Sequence, residues 1–284
     1  MHKSNKKDSM KHSQNEGFTL VEISIVIIII GLIIGGTLVG RDLIKAAEIR
    51  ATTNDLERYN AAANTFRSRF GGLPGDLQAN RAAKYGLVAR SGASAHGDNN
   101  GVMEGCTPNS VYLGCETALF WRDLTNAQFI AGAYLEASDA LVDAATISDI
   151  NNYLPSVRLR DNAFLTLYPE RGRNYYLLAS YADITTGAQN FSLPGVQALS
   201  ASEASQIDEK IDDGKPLTGI VSAVSGWNGG GNNGANFDAG APAASGICVN
   251  QGANPATEGD ESYNTANADF ASELNCMLSI RASF

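Results

Sequence analysis

The sequence predicts an α+β chain in which one long N-terminal helix, half of it apolar enough for a membrane, packs on an antiparallel β-sheet head. Three observations predict it. The run from Leu20 to Val39 contains a single charge, Glu22. An apolar stripe at helical spacing follows, through Ile49, Leu56, Tyr59, Ala63, Phe66 and Phe70. Beyond residue 70, β-rich runs and turn residues take over much of the chain.

The first element is a basic leader. Residues 1–17 carry Lys3, Lys6, Lys7 and Lys11 against Asp8 and Glu16, although the whole chain has a net charge of −9. Basic residues ahead of a span hold that end in the cytoplasm, so the bulk of the chain is expected outside. The acidic remainder argues against nucleic acid, whose phosphates require clustered Lys and Arg.

The span comes next. At ~1.5 Å per residue, a helix the length of Leu20–Val39 covers ~30 Å, the thickness of a hydrocarbon core. Two plain readings compete. A secretory signal with a cut near Gly35-Gly36-Thr37 has an apolar region of roughly 7–15 residues, shorter than this run. A simple signal anchor fits the length but leaves Glu22 unexplained, because a carboxylate in lipid is costly.

The residues "GFTLVE" at 17–22, with the basic leader and the Ile/Val/Gly run after them, resemble the class III signal of type IV pilins and type II secretion pseudopilins. The resemblance implies a type IV pilin-like fold with an αβ-roll head. It implies cleavage by a prepilin peptidase between Gly17 and Phe18, and N-methylation of Phe18. Glu22 matches the family's acid four residues after the new N-terminus, where it pairs with the amine of a neighbouring subunit. An amine and a carboxylate ~4 Å apart attract by ~4 kcal/mol at an effective dielectric near 20. A local role competes: an acid in the first turn complements the helix dipole for ~0.3–1 kcal/mol. Gly31 matches a recurrent glycine of this helix. Val39 departs from the family's frequent proline, which puts the usual kink in doubt.

The stripe carries the helix to Phe70, where Gly71-Gly72 and Pro74 end it. "FGGLPGDLQANRAAKYG" (70–86) resembles the start of the family's αβ-loop. "CETALFWRDLTNAQFIAG" (115–132) reads as a helix with Ala118, Leu119, Trp121 and Leu124 on its apolar face and Gly132 at its end. Trp121 is expected in the core. "NAFLTLYPERGRNYYLLASYAD" (162–183) reads as a hairpin joined by Pro-Glu-Arg-Gly. A polar helix, a turn at Asp213-Gly214 and a strand from Leu217 to Val224 follow. Residues 227–246 are Gly/Asn-rich and read as a loop. "GICVN" reads as a final strand.

Four cysteines, Cys106, Cys115, Cys248 and Cys276, all lie beyond the span, which fits an oxidising compartment. Three pairings are open, and loop closure favours Cys106–Cys115 with Cys248–Cys276. Asp98, Asn100 and Glu104 have an oxygen spacing faintly like a Ca²⁺ loop, and the resemblance adds that major pseudopilins bind Ca²⁺. The EF-hand pattern is not met, so a solvated loop is preferred and no cofactor is expected. Asp208, Glu209, Asp212 and Asp213 read as a solvated face or local cap. Enzyme signatures such as GxSxG, GxxxxGK[ST] and HExxH are missing, and no catalytic residue is assigned.

The domains expected are a leader at 1–17, a helix at 18–70 with its transmembrane part at about 20–39, and a periplasmic or surface head at 71–284. The resemblance implies a structural filament subunit, not an enzyme. Its partners would be like subunits, prepilin peptidase, an inner-membrane assembly platform and, before assembly, lipid. Its place would be the bacterial inner membrane, single-pass, with the head periplasmic, and then a filament. Type IV pilus and type II secretion pseudopilus both stay open. The chain is large for a major subunit, which favours a minor one. The alternative is a membrane-tethered periplasmic binding module that does not polymerise.

Overall fold

The computed structural model describes residues 18–87, 97–104, 115–134, 151–160, 163–180, 198–224, 248–250, 261–266 and 276–284. The chain divides into two compact units, Met1–Ala46 and Ala47–Phe284. Helix α1, Leu20–Phe70, contributes to both and is 51 residues long.

In the first unit α1 runs through Gly31, Gly35 and Gly36 as unbroken α-helix. With Val39 where a proline was in question, no i→i−4 hydrogen bond is removed. The apolar side chains from Phe18 to Ile44 are exposed throughout. Among the described residues, α1 is the one helix long and apolar enough to cross a membrane. Its hydroxyls are satisfied within the helix: Ser24 Oγ donates to the Val21 carbonyl at 2.8 Å and Thr37 Oγ1 to that of Ile34 at 2.9 Å. Helices meet the demand of lipid, which offers no partner to a polar group, in this way.

In the second unit the rest of α1 supplies one wall of the core. Ile49, Leu56, Tyr59, Ala63, Phe66 and Phe70 are all buried, as their spacing predicts. Gly71, at φ 78°, ends the helix. After it come α2 (Ala79–Lys84) and α3 (Cys115–Asn126), then the hairpin β1 (Ala163–Glu170) and β2 (Arg173–Ser180). Next are α4 (Ala201–Ile211), β3 (Val221–Val224), β4 (Val249–Asn250), β5 (Ser262–Tyr263) and β6 (Met277–Arg281). The main sheet is antiparallel with order β1-β2-β6-β3, and β4-β5 form a separate two-stranded ribbon. Trp121 is fully buried, with its ring edge-on to Tyr59 at 4.9 Å.

Several boundaries differ from the sequence expectation, each for a physical reason. Helix α3 stops at Asn126, short of Gly132. Phe129 N–H donates to the Leu124 carbonyl and Gln128 N–H to that of Thr125, both at 2.9 Å, with Gln128 at φ 61°. That is a Schellman termination whose left-handed residue is usually glycine, so a glutamine there gives no warning. In the hairpin, Pro169 and Glu170 belong to β1, paired with Asn174 and Arg173. The turn is Arg171-Gly172, at φ 49° and 72°, the positive pair of a type I′ turn. Pro169 is tolerated because β1 is an edge strand.

Strand β3 begins at Val221, not Leu217. The Asp212 carboxylate accepts the amides of Ile220 and Val221, and Ala223 N–H donates to the Pro216 carbonyl, so residues before 221 are held in turns. Of "GICVN", Val249–Asn250 forms β4, and its partner is β5, outside the main sheet. The tail read only as a disulfide partner is β6, an inner strand. Cys248 and Cys276 are bonded, with Cα atoms 5.2 Å apart. Cys106, the leader with Gly17, and the 227–246 loop lie outside the described residues, as does the side chain of Cys115.

Candidate functional site

The first candidate site is the start of α1. Thr19 precedes the first helical residue, Leu20, and Glu22 is three residues on, the S/T-x-x-E spacing of a capping box. Thr19 N–H and Thr19 Oγ1–H both donate to Glu22 Oε2 at 2.8 Å, and Glu22 N–H returns to Thr19 Oγ1 at 3.2 Å. The acid thus satisfies orphan donors of its own helix and meets the positive end of the helix dipole. This is the local role weighed from sequence. It does not use up the carboxylate, because Oε2 takes both bonds. Phe18 lies just outside the helix and is 84% exposed.

The second candidate is a carboxylate cluster in the head. One oxygen each of Asp76, Asp98 and Glu116 lie within 4.8 Å of one another. Asp76 ends the Leu-Pro-Gly-Asp turn. Its Oδ1 accepts Asn99 N–H at 2.6 Å and its Oδ2 accepts Gly101 N–H at 2.8 Å. Gly75, at φ 83°, has no room for a side chain: a Cβ would meet the Glu116 carbonyl oxygen and the Met103 side chain. Glu116, in the first turn of α3, accepts Glu104 N–H at 2.8 Å. Asn174 in β2 completes the clamp on segment 97–104, accepting Met103 N–H at 2.7 Å and donating to the Gly101 carbonyl at 2.9 Å.

Burial pushes the Glu116 carboxyl up to about 8, with Asp76 and Asp98 adding to the rise against the Glu104 amide. Burial likewise raises Asp76 to about 6, against the amides of Gly101 and Asn99. These three acids have the donor set to hold a cation, but most of their described bonds are to backbone amides.

Of the sequence candidates for calcium, only Asp98 joins this cluster. The Asn100 side chain folds back, donating to Asp98 Oδ2 at 2.9 Å and accepting Val102 N–H at 2.6 Å. Glu104 takes part through its amide. Asp76 and Glu116 were missed. Their signals were an acid after a Pro-Gly turn and an acid opening a helix, both of which look local in sequence.

Asp208, Asp212 and Asp213 also bring oxygens within 4.8 Å of one another. Asp208 is fully buried, accepts Tyr263 O–H at 2.8 Å, and is raised by burial to about 6. Asp213 caps its own turn, accepting Thr218 Oγ1–H at 2.6 Å and Lys215 N–H at 3.0 Å. Those bonds hold its carboxyl below the usual range. Glu209 accepts Ser205 Oγ–H at 3.4 Å. Glu209, Asp212 and Asp213 make local helix and turn contacts, as read from the acidic helix end, whereas Asp208 departs from that reading: it is buried and ties α4 to Tyr263 in β5.

Comparison with known proteins returns one finding. Residues 12–38 match the prokaryotic N-terminal methylation motif. No curated protein and no solved structure matches the chain. The match contains the capping box and most of the apolar half of α1. It suggests a structural protein, and it implies processing by a prepilin peptidase and assembly with like subunits. With the apolar helix it fits an inner-membrane-anchored, single-pass protein.

Proposed function

From the premise that this chain carries the prepilin-type cleavage and methylation signature of type IV pilins and pseudopilins on an α+β, pilin-like fold, we propose that it is a filament subunit. The filament is a type IV pilus or a type II secretion pseudopilus. The peptidase cuts between Gly17 and Phe18 and the new amine of Phe18 is methylated. An inner-membrane assembly platform then moves the helix from lipid into the filament core, where Glu22 receives the Phe18 amine of a neighbouring subunit.

One observation carries this reading: the uncovered apolar half of α1, Leu20 to Val39, has its only carboxylate, Glu22, in its first turn, inside the match to the methylation motif. Apolar side chains exposed along the span require either lipid or other helices. The size of the chain supports a minor subunit, and retention of Glu22 argues against a tip subunit that lacks the acid. The disulfide supports a head outside the cytoplasm.

Intact-mass and peptide mass spectrometry on chain purified from its own cells tests the processing. A mature N-terminus at methylated Phe18 is expected. A chain retaining Met1, or one beginning near residue 37, overturns it. Glu22→Ala tests assembly: cleavage at Gly17 continues and the chain disappears from sheared filaments. A Glu22→Ala chain with no phenotype, together with a parent chain that is itself absent from sheared filaments, would instead support a membrane-tethered module that does not polymerise.

A further inference from the structure

Between Phe18 and Gly40 the helix carries four polar side chains, Thr19, Glu22, Ser24 and Thr37. The Ser24 and Thr37 hydroxyls donate to carbonyls of their own turn. The Thr19 hydroxyl and amide are both spent on Glu22 Oε2. Among the described residues, Glu22 Oε1 is left with no hydrogen-bond partner. In water that oxygen is hydrated at no cost. In lipid or a helix bundle it is an anionic acceptor without a donor, which is costly until a cation arrives.

The head holds a second capping box, and that one does meet a cation. Ser200 and Glu203 make the capping box of α4, with Ser200 N–H donating to Glu203 Oε2 at 2.8 Å and Ser200 Oγ–H at 3.0 Å. Glu203 N–H returns to Ser200 Oγ at 3.3 Å. That box is buried, and a cation meets it: Arg160 Nη2 donates at 3.4 Å to Glu203 Oε2, the oxygen that also takes both Ser200 bonds. Within one chain, then, a capping-box glutamate taken out of water is met by a positive charge. The box at Thr19 and Glu22 has the same bonds and no such charge.

We propose that Thr19 is the positioning residue for Glu22: by engaging Oε2 alone it fixes the carboxylate and presents Oε1 to a cation, the Phe18 amine of a second copy of this chain. The inference rests on the reading that Glu22 accepts that amine, and adds what prepares it to do so. A free glutamate side chain has several rotatable bonds and loses rotamer freedom on pairing. Two donors on one oxygen remove that freedom beforehand, so less is lost when the partner docks.

The test uses the full-length chain in cells that assemble its filament, with Thr19→Ser, Thr19→Val, Glu22→Gln and the Thr19→Val/Glu22→Gln double variant. Two quantities are read: the mass of the mature N-terminus, and the fraction of chain in sheared filaments. Thr19→Ser keeps the hydroxyl and incorporates as the parent chain does. Thr19→Val is cut and methylated normally, and its filament fraction falls by about tenfold, as expected for losing one hydrogen bond to a charged group. Glutamine still accepts the capping bonds, so Glu22→Gln isolates the charge; its incorporation falls to a small fraction that is still measured, and adding Thr19→Val changes nothing more.

A role for Thr19 only in starting the helix predicts a further loss in the double variant, and that result overturns the proposal. So does a Thr19→Val chain that incorporates fully while Glu22→Gln does not, which leaves the reading of Glu22 standing. A Thr19→Val chain left uncut also overturns it, by assigning Thr19 to peptidase recognition. Full incorporation of Glu22→Gln sinks the reading of Glu22 itself.

Discussion

Glu116 shows how far surroundings move a single residue. Its ordinary value is 4.5 and burial carries it up to about 8, while Asp76 moves from 3.8 to about 6. A carboxyl whose value is higher folded than unfolded binds more protons in the folded state. Its stabilisation is complete below the unfolded value and is lost as pH rises through the folded one. For these two acids the window opens near 4 and closes near 8. The thermal midpoint of residues 47–284 should therefore fall as pH goes from about 5 to 9. Glu116→Gln, which keeps an acceptor for the Glu104 amide, should flatten that fall by about 2–4 °C for each ~1 kcal/mol removed. Differential scanning calorimetry across the range checks it. A midpoint that climbs toward pH 9, or a Gln variant with an unchanged slope, would show that the cluster does not hold its protons.

At the scale of elements, the β4-β5 ribbon is the part of the head least able to stand alone. Two residues pair with two, far below what an isolated hairpin needs. It is held instead by Cys248–Cys276 and by the Tyr263–Asp208 hydrogen bond. The bridge spans 28 positions, for which the chain-entropy argument gives ~3–4 kcal/mol. Replacing both cysteines with serine should lower the unfolding free energy from urea titration by an amount in that range. Because Cys276 N–H and carbonyl pair with Leu199 at the mouth of α4, the main sheet should survive. A double variant as stable as the parent would mean the ribbon needs no covalent tie.

At the scale of the whole molecule, the two units answer to different solvents. Side chains from Phe18 to Ile44 have no protein cover, whereas Ile49 to Phe70 face a continuous core with α3 and the sheet. A chain beginning at Ala47 retains every buried residue of α1 and should be a soluble monomer with one cooperative unfolding transition. The chain beginning at Phe18 should partition into detergent. Phase separation in a mild non-ionic detergent distinguishes the two, and aggregation of the shorter chain would show that the head depends on the apolar half of the helix.

The features that could be read directly were local. The long apolar run, the Thr19–Glu22 spacing and the stripe to Phe70 each depend on neighbours within a turn or two, where period and composition carry the information. The hairpin is visible too, although Pro-Glu-Arg-Gly starts two residues before the turn itself, because edge position, which lets Pro169 stay in β1, is not written in a strand's own residues. What only the tertiary structure decided was which distant segments meet: the tail entering the sheet between β2 and β3, Asp76 and Glu116 closing on Asp98, and a glutamine ending α3 in the left-handed conformation. Those outcomes depend on shared burial among residues tens of positions apart. No single segment records which partner will exclude its water.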